Sequence, residues 1–325
     1  MSFHYILLRS FSPPKEDVMN LETTTVLLGE SPKARNKIII SASDGRASTE
    51  SFSPKGLEKN TMENPVPVTG FADSFRSEIE LVPNQKCQST NSGHVLFLYQ
   101  PEVIIGTDDR VMVTNTQSWP YTVQGHMIMR FPNGKVYIGS GTMVSKHHVL
   151  TAGHCVYSQD DGGWATSVQF NAAQNGSTLP FGSVYASRLL SVAGWTSNHD
   201  QAYDMGMLIL QSDLGLQTGW FGIITIPKDE ELIRKYVNVT GYPGDKGGQQ
   251  LWTHVDTIKS LTTENAYYDI DTMGGQSGSG VWSTFSGHTG EKVACIHTSG
   301  ASSGNGSTRI SRSKFDRIVD WMQNY

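Results

Sequence analysis

The sequence has 325 residues, of which 37% are hydrophobic and 17% charged, and its formal net charge is −5. This length and apolar content suit a globular protein with one or two cores. The acidic balance, without a run of like charges, excludes a polybasic surface for nucleic acid or membranes.

The first 102 residues are rich in Ser, Thr, Pro and mixed charge, as in SASDGRASTESFSPKGLEKNTMENPVP, and can bury little apolar surface. We expect an irregular segment. Its only early apolar stretch, Tyr5 to Leu8, is shorter than the apolar h-region of a secretory signal, which has roughly 7 to 15 residues. No run approaches the roughly 20 apolar residues that cross a bilayer, so no membrane-spanning helix is predicted.

From Val103 onward, short apolar runs alternate with turn signals, as in VYIGSGTMVSKHHVLTAGHCV, MGMLILQS and VACIHTSG. Such runs predict strands at the spacing of a sandwich or barrel. The 33 glycines, with many Ser, Thr and Asn residues, also favour an all-β protein rich in turns.

The carboxyl end has a helical pattern instead. Phe315, Ile318, Val319 and Met322 follow the i, i+3, i+4, i+7 spacing and would line one face. Ser313, with Asp316 three residues later, resembles a capping box. The pattern predicts a closing α-helix of about three turns.

The stretch TMGGQSGSG, residues 272–280, has the composition expected around a nucleophilic serine. A nucleophile needs an uncrowded hydroxyl and neighbouring N–H groups that point at the developing oxyanion. Glycines permit both, because they adopt positive φ and let a substrate backbone approach closely. Ser277 is therefore a candidate nucleophile, and the N–H groups of Gly275 and Ser277 are a candidate oxyanion hole. The alternative is an ordinary Gly/Ser turn.

Two other stretches supply the partners that such a serine needs. VLTAGHC places His154 just after an apolar strand, and AYDMGMLIL places Asp204 just before another. Each residue taken alone is usually structural, but together they give the order His, Asp, Ser of chymotrypsin. Ser279 stands where a nucleophile elbow would need Gly, which argues against an α/β-hydrolase.

TAGHC, YDMG and GGQSGSG resemble the chymotrypsin-like serine endopeptidases, and further stretches are similar to the secreted bacterial glutamyl endopeptidases. These stretches are VIIGTDDRVMVTNT, FGSVYASRLL, GYPGDK, DTMGGQSGS and IHTSG. The resemblance covers about residues 103–322 and implies a trypsin-like fold of two antiparallel six-stranded β-barrels, with the active site in the cleft between them. It also implies a secreted monomer that acts on proteins or peptides without a metal or organic cofactor.

The resemblance assigns the specificity pocket to three positions. His297 in IHTSG matches the histidine that contacts a substrate glutamate, and Thr272 matches the pocket hydroxyl. A pocket for glutamate needs such donors because an unpaired buried carboxylate is costly. The third position is Val103, which matches the mature amino terminus. Taken singly, His297 and Thr272 could equally be ordinary strand residues.

Glu102 precedes Val103, so a glutamate-specific protease could cleave this bond in its own precursor. We therefore expect residues 1–102 to be a propeptide and residues 103–325 to be the protease domain. A disordered leader without a control function is the alternative. For the activity, the alternatives are a chymotrypsin-like protease of another specificity and a non-catalytic binding protein on a protease scaffold.

The three cysteines are an odd number and cannot form a closed disulfide framework. In relatives with disulfides, the cysteine after the catalytic histidine pairs with one on the preceding strand, which here lacks cysteine. Cys155 and Cys295 are therefore expected to be buried free thiols. Cys87 lies in the expected propeptide.

Overall fold

The computed structural model describes residues 20–28, 95–97, 102–301 and 304–325. Most of the expected propeptide, including Cys87, lies outside the described residues. Within them, no helix is long and apolar enough to cross a membrane.

The described residues form eighteen strands, numbered along the chain. The first nine are β1 (Thr23–Leu27), β2 (Val95–Phe97), β3 (Val111–Met112), β4 (Gln124–Arg130), β5 (Val136–Met143), β6 (His148–Thr151), β7 (Tyr157–Ser158), β8 (Gly163–Trp164) and β9 (Ser167–Ala172). The others are β10 (Val184–Val192), β11 (Gly206–Leu210), β12 (Gly222–Ile223), β13 (Tyr236–Gly241), β14 (Trp252–Leu261), β15 (Asn265–Tyr268), β16 (Gly280–Thr284), β17 (Glu291–Ala301) and β18 (Gly304–Arg309). The α-helices are α1 (Ala193–Thr196), α2 (Gly215–Thr218), α3 (Asp229–Leu232) and α4 (Arg312–Asn324).

Six strands of the first half close into an antiparallel barrel in the order β10, β11, β6, β5, β4, β9, with β9 pairing back onto β10. Its interior holds Met127, Val149, Leu189 and Met207, all fully buried. Paired glycines in β4 and β5, Gly125 opposite Gly141, leave room for the ring of Phe170. The stretch VYIGSGTMVSKHHVLTAGHCV, from which strands were predicted, thus provides β5 and β6 of a closed barrel.

The second half repeats this arrangement. Strands β17, β16, β13, β14, β15 and β18 follow one another around the barrel, and β18 pairs back onto β17. Buried apolar side chains fill it, among them Val237, Val239, Ile258, Tyr268 and Val281. The all-β fold of two six-stranded antiparallel barrels is confirmed.

Two strands from the region expected to be irregular add to the first barrel. β1 pairs antiparallel with β10, and β2 pairs parallel with β5. β1 reads TTTVL and is rich in β-branched side chains, which suit an extended edge strand. The low apolar content of residues 1–102 did not single out these short strands.

The predicted carboxyl-terminal helix is confirmed as α4, which has 13 residues. Ile318 and Trp321 are fully buried, and half-buried residues flank them: Phe315, Val319 and Met322. The expected start at Ser313 is wrong, because Ser311 is the N-cap residue.

The Gly125→Ala substitution tests the packing of the first barrel. A Cβ at position 125 would lie 2.1 Å from the Phe170 ring. Overpacking of this kind should lower the free energy of unfolding by about 1 to 3 kcal/mol, as measured by urea denaturation. Phe170→Leu relieves the contact, so the double variant should lose less than the sum of the single losses. Additive losses would contradict this account.

Candidate active site

His154 and Asp204 form a buried pair on the first barrel. His154 follows β6 and Asp204 precedes β11, and these two strands pair. The Nδ1 of His154 is 2.7 Å from Oδ2 of Asp204, and the His154 backbone N–H donates to Oδ1 at 2.9 Å. The carboxylate therefore fixes both the ring and the backbone of His154.

The charge of Asp204 also changes the acidity of His154. Burial lowers the pKa of an imidazole, but the charge and hydrogen bond of Asp204, together with the neighbouring Cys155, outweigh burial and raise the pKa of His154 well above its usual value. Asp204 is 1% exposed, so water screens this attraction little. The pair is suited to hold a proton that the imidazole takes up.

The loop that carries Ser277 lies between β15 and β16 and crosses to the first barrel. Ser140 of β5 donates its backbone N–H to the Ser277 carbonyl at 2.9 Å and its hydroxyl to the Gly275 carbonyl at 2.8 Å. The Ser140 hydroxyl also accepts the N–H of Tyr242 at 3.0 Å. One serine of the first barrel therefore positions the loop of the second.

The glycines around Ser277 are required by backbone conformation and by space. Gly275 and Gly278 have φ of 103° and 88°, values that favour glycine. A Cβ at Gly278 would lie 2.1 Å from the Thr151 hydroxyl, and one at Gly275 would lie 2.5 Å from the Tyr242 carbonyl. The small residues that the sequence places here let the loop pack directly on the first barrel.

The peptide between Gly274 and Gly275 has a defined orientation. The Gly274 carbonyl accepts the N–H of Gly244 at 2.8 Å. Because the C=O and N–H of a trans peptide point in opposite directions, the Gly275 N–H points away from Gly244.

Glu102 occupies the position in front of the candidate nucleophile. The Ser277 hydroxyl donates to Oε1 of Glu102 at 2.6 Å, and the Glu102 side chain is fully buried. Nε2 of His154 is buried without a hydrogen-bond partner among the described residues. In the uncut chain the Ser277 hydroxyl therefore donates to Glu102 and not to His154.

The candidate specificity residues lie around the same carboxylate. Nε2 of His297 is 3.5 Å from Oε1 of Glu102, and both side chains are fully buried. On the other side of the ring, Nδ1 of His297 is 2.7 Å from the Tyr268 hydroxyl. The Thr272 hydroxyl is buried and has no hydrogen-bond partner among the described residues. The pocket thus contains hydrogen-bonding groups that its own residues leave unused.

Val103 is held at this pocket by its backbone. Its N–H donates to Oδ1 of Asn305 at 3.0 Å, and its carbonyl accepts from Nδ2 of Asn305 at 2.7 Å. The N–H of Thr272 also points at the Val103 carbonyl, at 3.4 Å. The Asn305 amide therefore binds both backbone groups of Val103 while Glu102 is still attached.

Charged side chains bind the residues after Val103 to the second barrel. The carboxylate of Asp271 accepts the N–H groups of Ile105 and Asp109 at 2.7 and 2.9 Å. Arg110 binds Asp245 through its guanidinium and also donates to Oε1 of Gln276, at 3.3 Å. This network reaches the residue before Ser277.

Asp109, His254 and Asp271 are close enough together to suggest a metal site, with ligand atoms within 4.8 Å of one another. Both Asp271 oxygens, however, already accept backbone N–H groups, and Nδ1 of His254 accepts the Asp271 N–H at 2.9 Å. The cluster is accounted for by protein hydrogen bonds and supports no metal assignment.

Cys155 and Cys295 are free and buried, as predicted. The Cys155 thiol lies 3.7 Å from the Ser277 carbonyl. Burial raises the pKa of the Cys295 thiol to about 11, so it stays neutral.

Sequence reasoning found the residues that carry a recognisable local pattern and missed those that support them. Ser140, Tyr268 and Asn305 were not singled out, and Glu102 was named only as a cleavage residue. The alternation of buried and less buried residues along β15 would have placed Tyr268 on the buried face of its strand. Nothing local marks Asn305, whose partner Val103 is 202 positions away.

Comparison with known proteins identifies the fold and the family. A family described as the trypsin-like peptidase domain matches residues 139–288. A glutamyl endopeptidase of Bacillus licheniformis is 34% identical over 229 residues, which are 69% of this chain and 70% of that protein. A protein of Bacillus subtilis named extracellular metalloprotease is 38% identical over 223 residues, 68% of this chain and 70% of that protein.

A solved structure of a Glu endopeptidase superposes with a TM-score of 0.60 at 26% identity, covering 68% of this chain and 99% of that one. The word metalloprotease describes the Bacillus subtilis relative, whereas the matching domain family is trypsin-like. Fold, domain family and relatives agree: the chain belongs to the chymotrypsin family of serine endopeptidases, within its glutamyl endopeptidase-like group.

Proposed function

We propose that this chain is the precursor of a secreted, monomeric endopeptidase that cleaves proteins and peptides after Glu, and more weakly after Asp. One observation carries the proposal: the carboxylate of the chain's own Glu102 lies between the Ser277 hydroxyl and the His297 imidazole. A glutamate side chain is therefore already accommodated at the candidate nucleophile. The word extracellular in the name of one relative supports secretion.

In the proposed reaction, Ser277 attacks the scissile carbonyl while His154 takes its proton. Asp204 holds the imidazole in place and stabilises its charged form, as the 2.7 Å contact permits. The N–H groups of Gly275 and Ser277 bind the oxyanion. His154 then returns the proton to the leaving amine, and water hydrolyses the acyl-enzyme on Ser277.

The preference for Glu follows from the pocket's unused donors. A buried carboxylate needs hydrogen bonds or positive charge, and His297 and Thr272 can provide hydrogen bonds. Asp is one methylene shorter and reaches these donors less well, a difference worth about 1 to 3 kcal/mol. Weaker cleavage after Asp is therefore expected.

The precursor is proposed to be blocked by Glu102 and activated by cleavage after it. While the Ser277 hydroxyl donates to Glu102, its proton is directed away from His154. Cleavage frees Glu102 to leave, and the new α-amino group of Val103, with an unperturbed pKa of about 7.7 to 8.0, is already held by Asn305. This amine would add positive charge to the pocket.

A fluorophosphonate probe tests the serine mechanism. The processed protein should be labelled, and Ser277→Ala should abolish labelling and lower kcat by at least about 10⁴-fold. The transition-metal chelator 1,10-phenanthroline should leave peptidase activity unchanged. Inhibition by the chelator without labelling would instead favour a metal-dependent protease, and processed protein with neither activity nor labelling would favour the binding protein.

His297→Ala tests specificity. Removing one partner of a buried carboxylate should lower kcat/KM on Glu peptides by on the order of 100-fold or more, with a much smaller loss on matched Gln peptides. Equal losses on both substrates would remove His297 from the specificity role. A cleavage-site profile of the wild-type processed protein, measured alongside, reveals any other preference.

Two variants of Glu102 test the precursor block. Neither Glu102→Gln nor Glu102→Ala should be processed after residue 102, but Gln keeps an acceptor for Ser277 whereas Ala does not. The Ala precursor should react with the fluorophosphonate about 10-fold faster than the Gln precursor, as expected for loss of one buried hydrogen bond. Equal rates would refute the block.

Amino-terminal sequencing of active wild-type material provides the matching check on processing. The proposal requires a first residue at Val103. A start far from this position would show that the bond after Glu102 is not the activating one.

A further inference from the structure

Tyr268 lies behind the imidazole of His297, on the side opposite Glu102. Its hydroxyl is 2.7 Å from Nδ1 of His297, while Nε2 of the same ring faces the Glu102 carboxylate at 3.5 Å. Both Tyr268 and His297 are fully buried. The contact of Tyr268 with Nδ1 therefore affects whether Nε2 of His297 can donate a hydrogen bond to the carboxylate.

A neutral imidazole carries a single N–H, on one nitrogen or the other. If the proton is on Nδ1, then Nε2 presents a lone pair to the carboxylate, which is repulsive. If it is on Nε2, the ring donates a hydrogen bond to the carboxylate. Which tautomer is present depends on the hydrogen bond that the other nitrogen makes.

Tyr268 provides that bond as a donor. Burial raises the pKa of Tyr268 well above its usual value, so the phenol keeps its proton. The Gly306 carbonyl is 3.4 Å from the hydroxyl, a longer contact than the 2.7 Å to Nδ1. A hydroxyl that donates along the shorter contact leaves the ring proton on Nε2.

We propose that Tyr268 is a positioning residue for substrate selection, whose hydroxyl holds neutral His297 with Nε2–H directed at the substrate carboxylate. The inference rests on the proposed preference for Glu.

Few titratable groups surround this imidazole. Glu102 leaves with the propeptide, Cys295 is a neutral thiol, and the residue paired with His297 on β18 is the uncharged Ser307. The amino group of Val103 appears on processing and is common to every variant compared below. A change in the Glu/Gln ratio that is confined to one variant can therefore be assigned to the ring of His297.

The test compares Tyr268→Phe with Tyr242→Phe in the processed protein. Tyr242 is an equally buried tyrosine, whose hydroxyl donates to the Gln174 carbonyl at 3.1 Å. The readout is the ratio of kcat/KM on matched peptides with Glu or Gln before the scissile bond, from pH 6 to pH 9.

At pH 8, Tyr268→Phe should lower the Glu/Gln ratio about 10-fold, because the tautomer and ring orientation are no longer fixed. Activity on Gln peptides should stay within a few-fold of wild type. Tyr242→Phe should keep the wild-type ratio throughout.

An unchanged ratio in Tyr268→Phe, or equal losses on both peptides at every pH, would overturn the inference. A wild-type enzyme that does not discriminate Glu from Gln would instead overturn the proposed function itself.

A second measurement does not require the Tyr268→Phe variant to fold. Long-range ¹H–¹⁵N correlation spectra of the uncleaved Ser277→Ala chain report the tautomer of each histidine, and His297→Gln assigns the signal. At pH 8 the inference requires the proton on Nε2. A proton on Nδ1 would overturn it.

Discussion

The two barrels meet where Ser140 of the first barrel contacts the loop that carries Ser277. Its N–H and hydroxyl bind the carbonyls of Ser277 and Gly275, and its hydroxyl accepts from Tyr242. These bonds are possible because Gly278 carries no Cβ where the first barrel approaches and Gly275 carries none beside the Tyr242 carbonyl. The catalytic geometry proposed here therefore depends on a close contact between two separate cores.

The same cleft contains the candidate pocket for a substrate carboxylate. His297 and Thr272 are its candidate donors to a carboxylate that burial removes from water. In the uncut chain Glu102 supplies this carboxylate and accepts the Ser277 hydroxyl. A substrate glutamate would replace Glu102, and Ser277 would then be free to turn to His154. Blocking and recognition thus rely on the same chemical group.

Sequence reasoning predicted much of this site because its central residues lie in short, chemically distinctive stretches. Ser277 is marked by its glycines, and His154 and Asp204 by the apolar strands beside them. The closure of each barrel and the role of Asn305 could not be predicted in this way, since they depend on pairings between distant positions. Tyr268 was also missed, because a buried tyrosine on a strand looks like ordinary core until its neighbour is known.

The residue before Ser277 bears on how much the structure would have to change on the proposed cleavage after Glu102. Gln276 is neutral and fully buried, and Arg110 donates to it from a guanidinium already paired with Asp245. Position 276 therefore carries no carboxylate that a new amino terminus would have to neutralise. Val103 is already bound by Asn305, and the Gly274 carbonyl already accepts the N–H of Gly244. On the proposed function, the Glu102 side chain is the obstacle that cleavage removes.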